Sequence, residues 1–113
     1  MDPIYYHNPN CSKSRKGLEI LHTLNTPFKL RNLNTSPLNK DELKNLCDII
    51  TDKKRLLCRL TDTELTPYGK DEKQQIINAI LDQPKQLQRP ILLLNKKAYI
   101  CRPPEKLNDL LCQ

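Results

Sequence analysis

Hydrophobic residues along this chain fall into two rhythms, and the changes between them outline the elements. "PIYYH", Pro3 to His7, is β-branched and aromatic and reads as a short strand, which the turn chemistry of "NPN", Asn8 to Asn10, ends. From Cys11 or Ser12 to about Leu24 the spacing turns helical, with Leu18, Ile20, Leu21 and Leu24 near a 3.6-residue period. Asn25 suits the left-handed residue after a helix end, and Pro27 stands just beyond. "FKLRNL" then alternates Phe28 and Leu30 with basic residues and reads as a second strand. A β-α-β unit of this kind favours a parallel strand pair joined by a right-handed crossover.

Further along, Asn39 with Glu42 three residues on forms a capping-box start, and Asp41 adds acid to the first turn. Leu43, Leu46, Cys47 and Ile50 make one apolar face of that helix. A short helical piece is expected around Lys54 to Leu60, then a loop, "TDTELTPYGK". Residues 71–82 are helical again, with Ile76, Ile77, Ile80 and Leu81 facing inward, until "PKQLQRP" breaks the pattern. "ILLL", Ile91 to Leu94, is a buried-type strand; "NK" at 95–96 forms a tight turn and "AYIC" returns antiparallel. "RPP" stops the sheet, and a terminal helix runs from Glu105 to Leu111. The order β-α-β, helices, β-β-α predicts an α/β fold: a thioredoxin-like, four-stranded mixed sheet with a helical insert at residues 37 to about 86, all in one domain.

Composition narrows the function. With 113 residues, 37% of them hydrophobic, the chain supports one small core. No apolar run approaches a membrane span and no signal-peptide pattern opens the chain, so a soluble, cytoplasmic protein with no membrane partner is expected. Net charge is +6, but one Phe, no Trp and no zinc-finger spacing argue against nucleic acid; a small-anion site built from a few arginines is the sharper reading. The cysteines are Cys11, Cys47, Cys58, Cys101 and Cys112, an odd number with no C-x-x-C pair, which disfavours a disulfide framework and a structural metal site. No bound cofactor or metal is expected.

Cys11 carries the chemistry. It stands at a strand-to-helix turn, where unpaired N–H groups and the helix dipole stabilise a thiolate, and His7, Lys13 and Arg15 can add positive charge. Ser14 occupies the place of a second cysteine. It can donate a hydrogen bond towards the thiolate but cannot close a disulfide, so an intermediate on Cys11 needs an outside thiol. A phosphatase-type C-x5-R loop is absent, because the residue six places after Cys11 is Gly17. Arg89 and Arg102 each precede a proline on either side of the hairpin, and Arg59 ends "RLLCR" in the insert. Arginine's planar fork suits a tetrahedral oxyanion. In a thioredoxin-like fold the residue before the third strand faces the first helix, so Arg89 should lie near Cys11, with Pro90 a candidate cis-proline. Cys47 reads as a core residue; Cys101, adjacent to Arg102, could approach the site, although a strand-end cysteine is more often packing.

"YHNPNCSKSRKGLEIL", "QRPILLLNKKAYICRPPEKL" and the arginine of "LLCR" resemble the glutaredoxin-linked arsenate reductases, in the wider group that includes the Spx-type regulators, and most of all a short branch with "CSKSR" and "RPP". The resemblance implies that Cys11 attacks arsenate to form a covalent arseno-cysteine adduct. It implies that His7 helps lower the thiol pKa, that Ser14 and Arg15 support thiolate and anion, and that Arg59, Arg89 and Arg102 hold the oxyanion. Glutathione, a co-substrate, would attack the adduct; glutaredoxin would take the glutathionyl group and arsenite would leave. Two other readings fit a lone thiol: a monothiol oxidoreductase acting on glutathionylated proteins, and an Spx-like regulator that contacts RNA polymerase. Neither requires the arginines.

Overall fold

A computed structural model describes residues 2–51 and 72–111. Arg59, Cys58, Cys112, the helical piece expected at 54–60 and the loop after it lie outside the described residues. The chain divides into two compact units, one formed by Met1–Pro37 with Arg89–Gln113, the other by Leu38–Gln88.

The first unit holds the sheet. β1 (Ile4–His7) leads through a turn into α1 (Ser12–Leu24), and β2 (Lys29–Asn32) follows. β3 (Ile91–Leu94), β4 (Lys97–Ile100) and a terminal helix come after the insert. The sheet order is β2-β1-β3-β4, with β1 and β2 parallel and the other neighbours antiparallel. This is the thioredoxin-like, mixed α/β sheet that the element order predicts.

Local chemistry explains the boundaries. α1 starts at Cys11, whose backbone is extended, and stops at Asn25, which takes the left-handed conformation with φ of 56°. The hairpin turns on Asn95 and Lys96 at φ 53° and 65°, the positive values that a two-residue turn matched to strand twist requires. Tyr5, Leu92 and Tyr99 stand in register across β1, β3 and β4, and Tyr6, Ile91 and Ile100 form the next row, on the opposite face. Tyr5 and Leu92 join Leu21, Cys101 and Leu107 in a core cluster, with Leu18, Phe28 and Leu94 packed against it. Cys101 is thus a core residue, and Phe28 meets Tyr5 edge-on at 6.5 Å between ring centroids. Leu30, on the edge strand β2, is 50% exposed rather than buried as its alternation suggests. The edge offers it a strand neighbour on one side alone.

In the second unit, α2 (Lys40–Ile49) opens with a complete capping box: Glu42 N–H donates to Asn39 Oδ1 at 2.8 Å and Asn39 N–H to Glu42 Oε1 at 3.0 Å. Leu43, Leu46 and Cys47 are buried, and Ile50 is the half-buried C-cap. α3 (Glu72–Asp82) lies against α2, where Lys73 and Asp48 pair at 2.7 Å, and a 3-10 turn follows at Pro84–Gln86. Ile76, Ile77 and Ile80 are buried, but Leu81 is 42% exposed, contrary to expectation. At ~100° per residue, Leu81 points about 90° away from the centre of the face the three isoleucines make, so the helix rim carries it. The terminal helix α4 (Lys106–Leu111) begins one residue after the expected Glu105 and packs on α1 through Leu107.

Candidate functional site

The site is built from the turn between β1 and α1. The Asn8 side chain accepts from Asn10 N–H at 2.9 Å, and Cys11 N–H donates to the Asn8 carbonyl at 3.0 Å. These bonds deliver Cys11 as the N-cap of α1, partly exposed and a free thiol. The thiol makes no ordinary capping hydrogen bond. Its protonation is nevertheless biased. Burial pushes its pKa up, but the backbone N–H groups of Ser14 and Lys13, and then the Arg89 guanidinium within hydrogen-bonding reach, outweigh burial and hold it below the ordinary thiol range.

Ser14 is fully buried and every polar group on it is engaged. Its hydroxyl oxygen accepts from Asn8 N–H at 2.9 Å and lies 2.7 Å from His7 Nδ1. Its carbonyl accepts from the Tyr5 hydroxyl at 2.7 Å, while its N–H favours the thiolate. The sequence suggests a hydroxyl aimed at the sulfur; instead the hydroxyl anchors the turn and the backbone addresses the sulfur.

His7 is 5% exposed, and burial, joined by the nearby Arg15 charge, pushes its pKa down, the hydrogen bond to Ser14 notwithstanding. It is therefore neutral near pH 7 and adds no positive charge beside Cys11. Its contact is with the Ser14 hydroxyl. The Arg15 guanidinium is exposed and donates to the Pro9 carbonyl at 3.0 Å, bracing the loop from outside. Lys13 is exposed, and its backbone N–H, not its ammonium, acts on the thiol.

Two arginines reach the sulfur from the loops that flank the hairpin. Arg89 is 9% exposed and sits before a cis-peptide bond to Pro90. Arg102, also before a cis-proline, donates from Nε to the Arg89 carbonyl at 2.6 Å and places Nη2 3.9 Å from Cys11 Sγ. Because β3 and β4 are antiparallel neighbours, the residue before one and the residue after the other fall side by side. The guanidinium planes therefore come from adjacent chain segments. Among the described residues no cluster of His, Cys, Asp or Glu suits a metal, and no helix is long and apolar enough to cross a membrane.

Tyr5, Asn8 and Gly17 are site residues that the sequence reading passed over. Gly17 left a signal: it is one of two glycines in the chain, and it lies within a helix, where glycine costs about 1 kcal/mol relative to alanine. A side chain there would collide with the Tyr5 hydroxyl and stand 3.1 Å from Tyr5 Cζ and 3.2 Å from Leu107 Cδ1.

A thioredoxin-like sheet with a partly exposed thiol at the N-cap of its first helix, approached by two guanidiniums, puts the protein in the thioredoxin-like class. The comparisons narrow the class further. The model of the ArsC family matches residues 6–110, and the chain belongs to that family. It is 32% identical to an arsenate reductase of Neisseria meningitidis, covering 94% of this chain and 95% of the relative. It is also 32% identical to the protein YfgD of Escherichia coli K12, over 93% of this chain and 92% of that one. Among solved structures, an arsenate reductase from Vibrio cholerae superposes with a TM-score of 0.81 at 28% identity, covering 98% of both chains.

Proposed function

We propose that this protein is an arsenate reductase in which Cys11 is the nucleophile and glutathione and glutaredoxin supply the electrons. The observation that carries the reading is the approach of Arg89 and Arg102 to the Cys11 sulfur. A thiolate and an arsenate dianion repel each other. Two guanidiniums bring two positive charges to that meeting, in a site where such charges act more strongly than in water. Relatives described as arsenate reductases over nearly their whole length support the same substrate.

In the first step the Cys11 thiolate forms an S–As bond and one arsenate oxygen leaves as water after taking up protons. Arg89 and Arg102 hold the remaining oxygens. Ser14 leaves Cys11 without a neighbouring thiol, so a second sulfur must come from outside. Glutathione attacks the adduct, its sulfur bonding to arsenic as a second oxygen leaves as water. A glutaredoxin thiol then takes the glutathionyl group as a mixed disulfide, breaking the glutathione S–As bond and leaving its electron pair on arsenic. The electron pair that reduces As(V) to As(III) thus comes from the two external sulfurs, and Cys11 returns as thiolate when water replaces its sulfur on As(III) and arsenite departs. Arg59 remains a proposed third anion ligand and lies outside the described residues. Arg15 and Lys13 supply positive charge at the rim, and the site needs no bound cofactor.

The test is a coupled assay with arsenate, glutathione, glutaredoxin and recycling by NADPH. Turnover should depend on arsenate and vanish in Cys11→Ser. Arg102→Ala should lose most arsenate turnover with a smaller effect on Cys11 alkylation by a neutral reagent. Arg89→Ala should impair both, because Arg89 also depresses the thiol pKa. Activity on a glutathionyl disulfide with none on arsenate would replace this reading with a general monothiol oxidoreductase.

A further inference from the structure

We propose that Tyr5 is a positioning residue for Cys11: its hydroxyl, admitted by Gly17, pins the first turn of α1 to β1 and so holds the turn's N–H groups in place beside the thiol. The inference rests on Cys11 being the reacting thiol, and not on arsenate being the substrate.

The geometry begins with a closed ring of chain. Tyr5 lies on β1 and Ser14 in the first turn of α1, nine residues apart, and the Tyr5 hydroxyl donates to the Ser14 carbonyl inside the protein. His7, Asn8 and Cys11 all fall within that ring. A carbonyl has two lone pairs, so it can accept from Tyr5 and still serve the helix. The bond therefore adds a fixed point without taking one away.

Ser14 is the residue whose position matters. Its N–H is the foremost group lowering the Cys11 pKa, its hydroxyl meets His7 and Asn8, and its carbonyl meets Tyr5. A small rotation of the first turn about the helix axis would move all of these groups together. His7, at the end of β1, meets the Ser14 hydroxyl, and the Tyr5 bond adds a second tie from deeper in the core, because Tyr5 is 0% exposed and packs with Leu21, Leu92 and Leu107. It ties the orientation of the turn to the sheet.

Gly17 makes the bond possible. It stands one turn beyond Ser14 on the face that meets Tyr5, and a Cβ there would occupy the space of the hydroxyl. Because Tyr5 is wholly buried, its ring has nowhere to swing. Burial also pushes the Tyr5 pKa up far past the ordinary phenol range, so the hydroxyl remains a proton donor throughout the pH range in which Cys11 reacts.

Two variants perturb the bond from opposite sides. Tyr5→Phe keeps the ring and removes the hydroxyl, while Gly17→Ala keeps the hydroxyl and crowds it out. The readout is the pH dependence of Cys11 alkylation by iodoacetamide, followed on the Cys11 peptide by mass spectrometry, with urea unfolding measured in parallel. In both variants the alkylation midpoint should move up towards the free-thiol range, and the rate at pH 7 should fall about threefold to tenfold, the size expected for one lost hydrogen bond. Cys11 in Tyr5→Leu, which also lacks the donor, should not recover. An unchanged midpoint in either folded variant, with lowered stability alone, would overturn the proposal and leave Tyr5 as a packing residue. Since no arsenate is present, a shifted midpoint in a protein that fails to reduce arsenate would remove the substrate assignment and keep this one.

Discussion

Cys11 and His7 both hold fewer protons when folded than when unfolded, and that sets the pH dependence of stability. The folded pKa of Cys11 is depressed, so its contribution is fully present above the unfolded thiol pKa of about 8.5 and is lost as pH falls through the folded value. His7 is depressed as well, so acid favours the unfolded chain once pH falls below about 6.5. Urea unfolding of the reduced protein should therefore show stability rising from pH 5 to pH 8.5. Cys11→Ser should flatten the upper part of that rise and His7→Gln the lower part. At this scale the sequence made part of the site readable. A cysteine ahead of a helix announces a thiolate, and an Arg-Pro before a late strand announces a nearby guanidinium. What the Ser14 hydroxyl does was not readable, because its direction depends on which partners the turn brings to it. Tyr5 was hidden for a related reason: a tyrosine in a strand looks like packing until the far end of its side chain is located.

Single elements follow local rules closely. α2 begins where Asn39 and Glu42 exchange hydrogen bonds, and Asn39→Ala should cost about 1 kcal/mol in chemical unfolding. Glu42→Gln, which preserves an acceptor, should cost less. The left-handed Asn25 that ends α1 and the positive-φ pair Asn95 and Lys96 were legible for the same reason: the chemistry that fixes them lies within a few residues. Leu81 and Leu30 were not. Each obeys an apolar periodicity, but whether a periodic position is covered depends on the neighbouring elements, which a local pattern cannot see. The insert between β2 and β3 was outlined by its helices, and its contribution of Arg59 stays an expectation.

For the whole molecule, chemistry and packing are kept apart. The described part of the site belongs to the unit that also holds the sheet, and the described thiols differ sharply in access. Cys47 and Cys101 are 2% and 0% exposed, whereas Cys11 is partly open. Brief iodoacetamide treatment of the native protein should label Cys11 and leave Cys47 and Cys101 unlabelled until denaturant is added; mass spectrometry of the digested peptides reads this directly. The net charge of +6 adds a long-range attraction for anions. KM for arsenate should accordingly rise with ionic strength while kcat changes less.

The contact between Tyr5 and Gly17 also constrains the routes by which this chain can mutate. A side chain at position 17 presses on the Tyr5 hydroxyl, so what it costs depends on the residue at position 5. The two positions, twelve residues apart in the chain, are thus coupled: each sets the cost of a substitution at the other, by an empty space on one route and by crowding on the other.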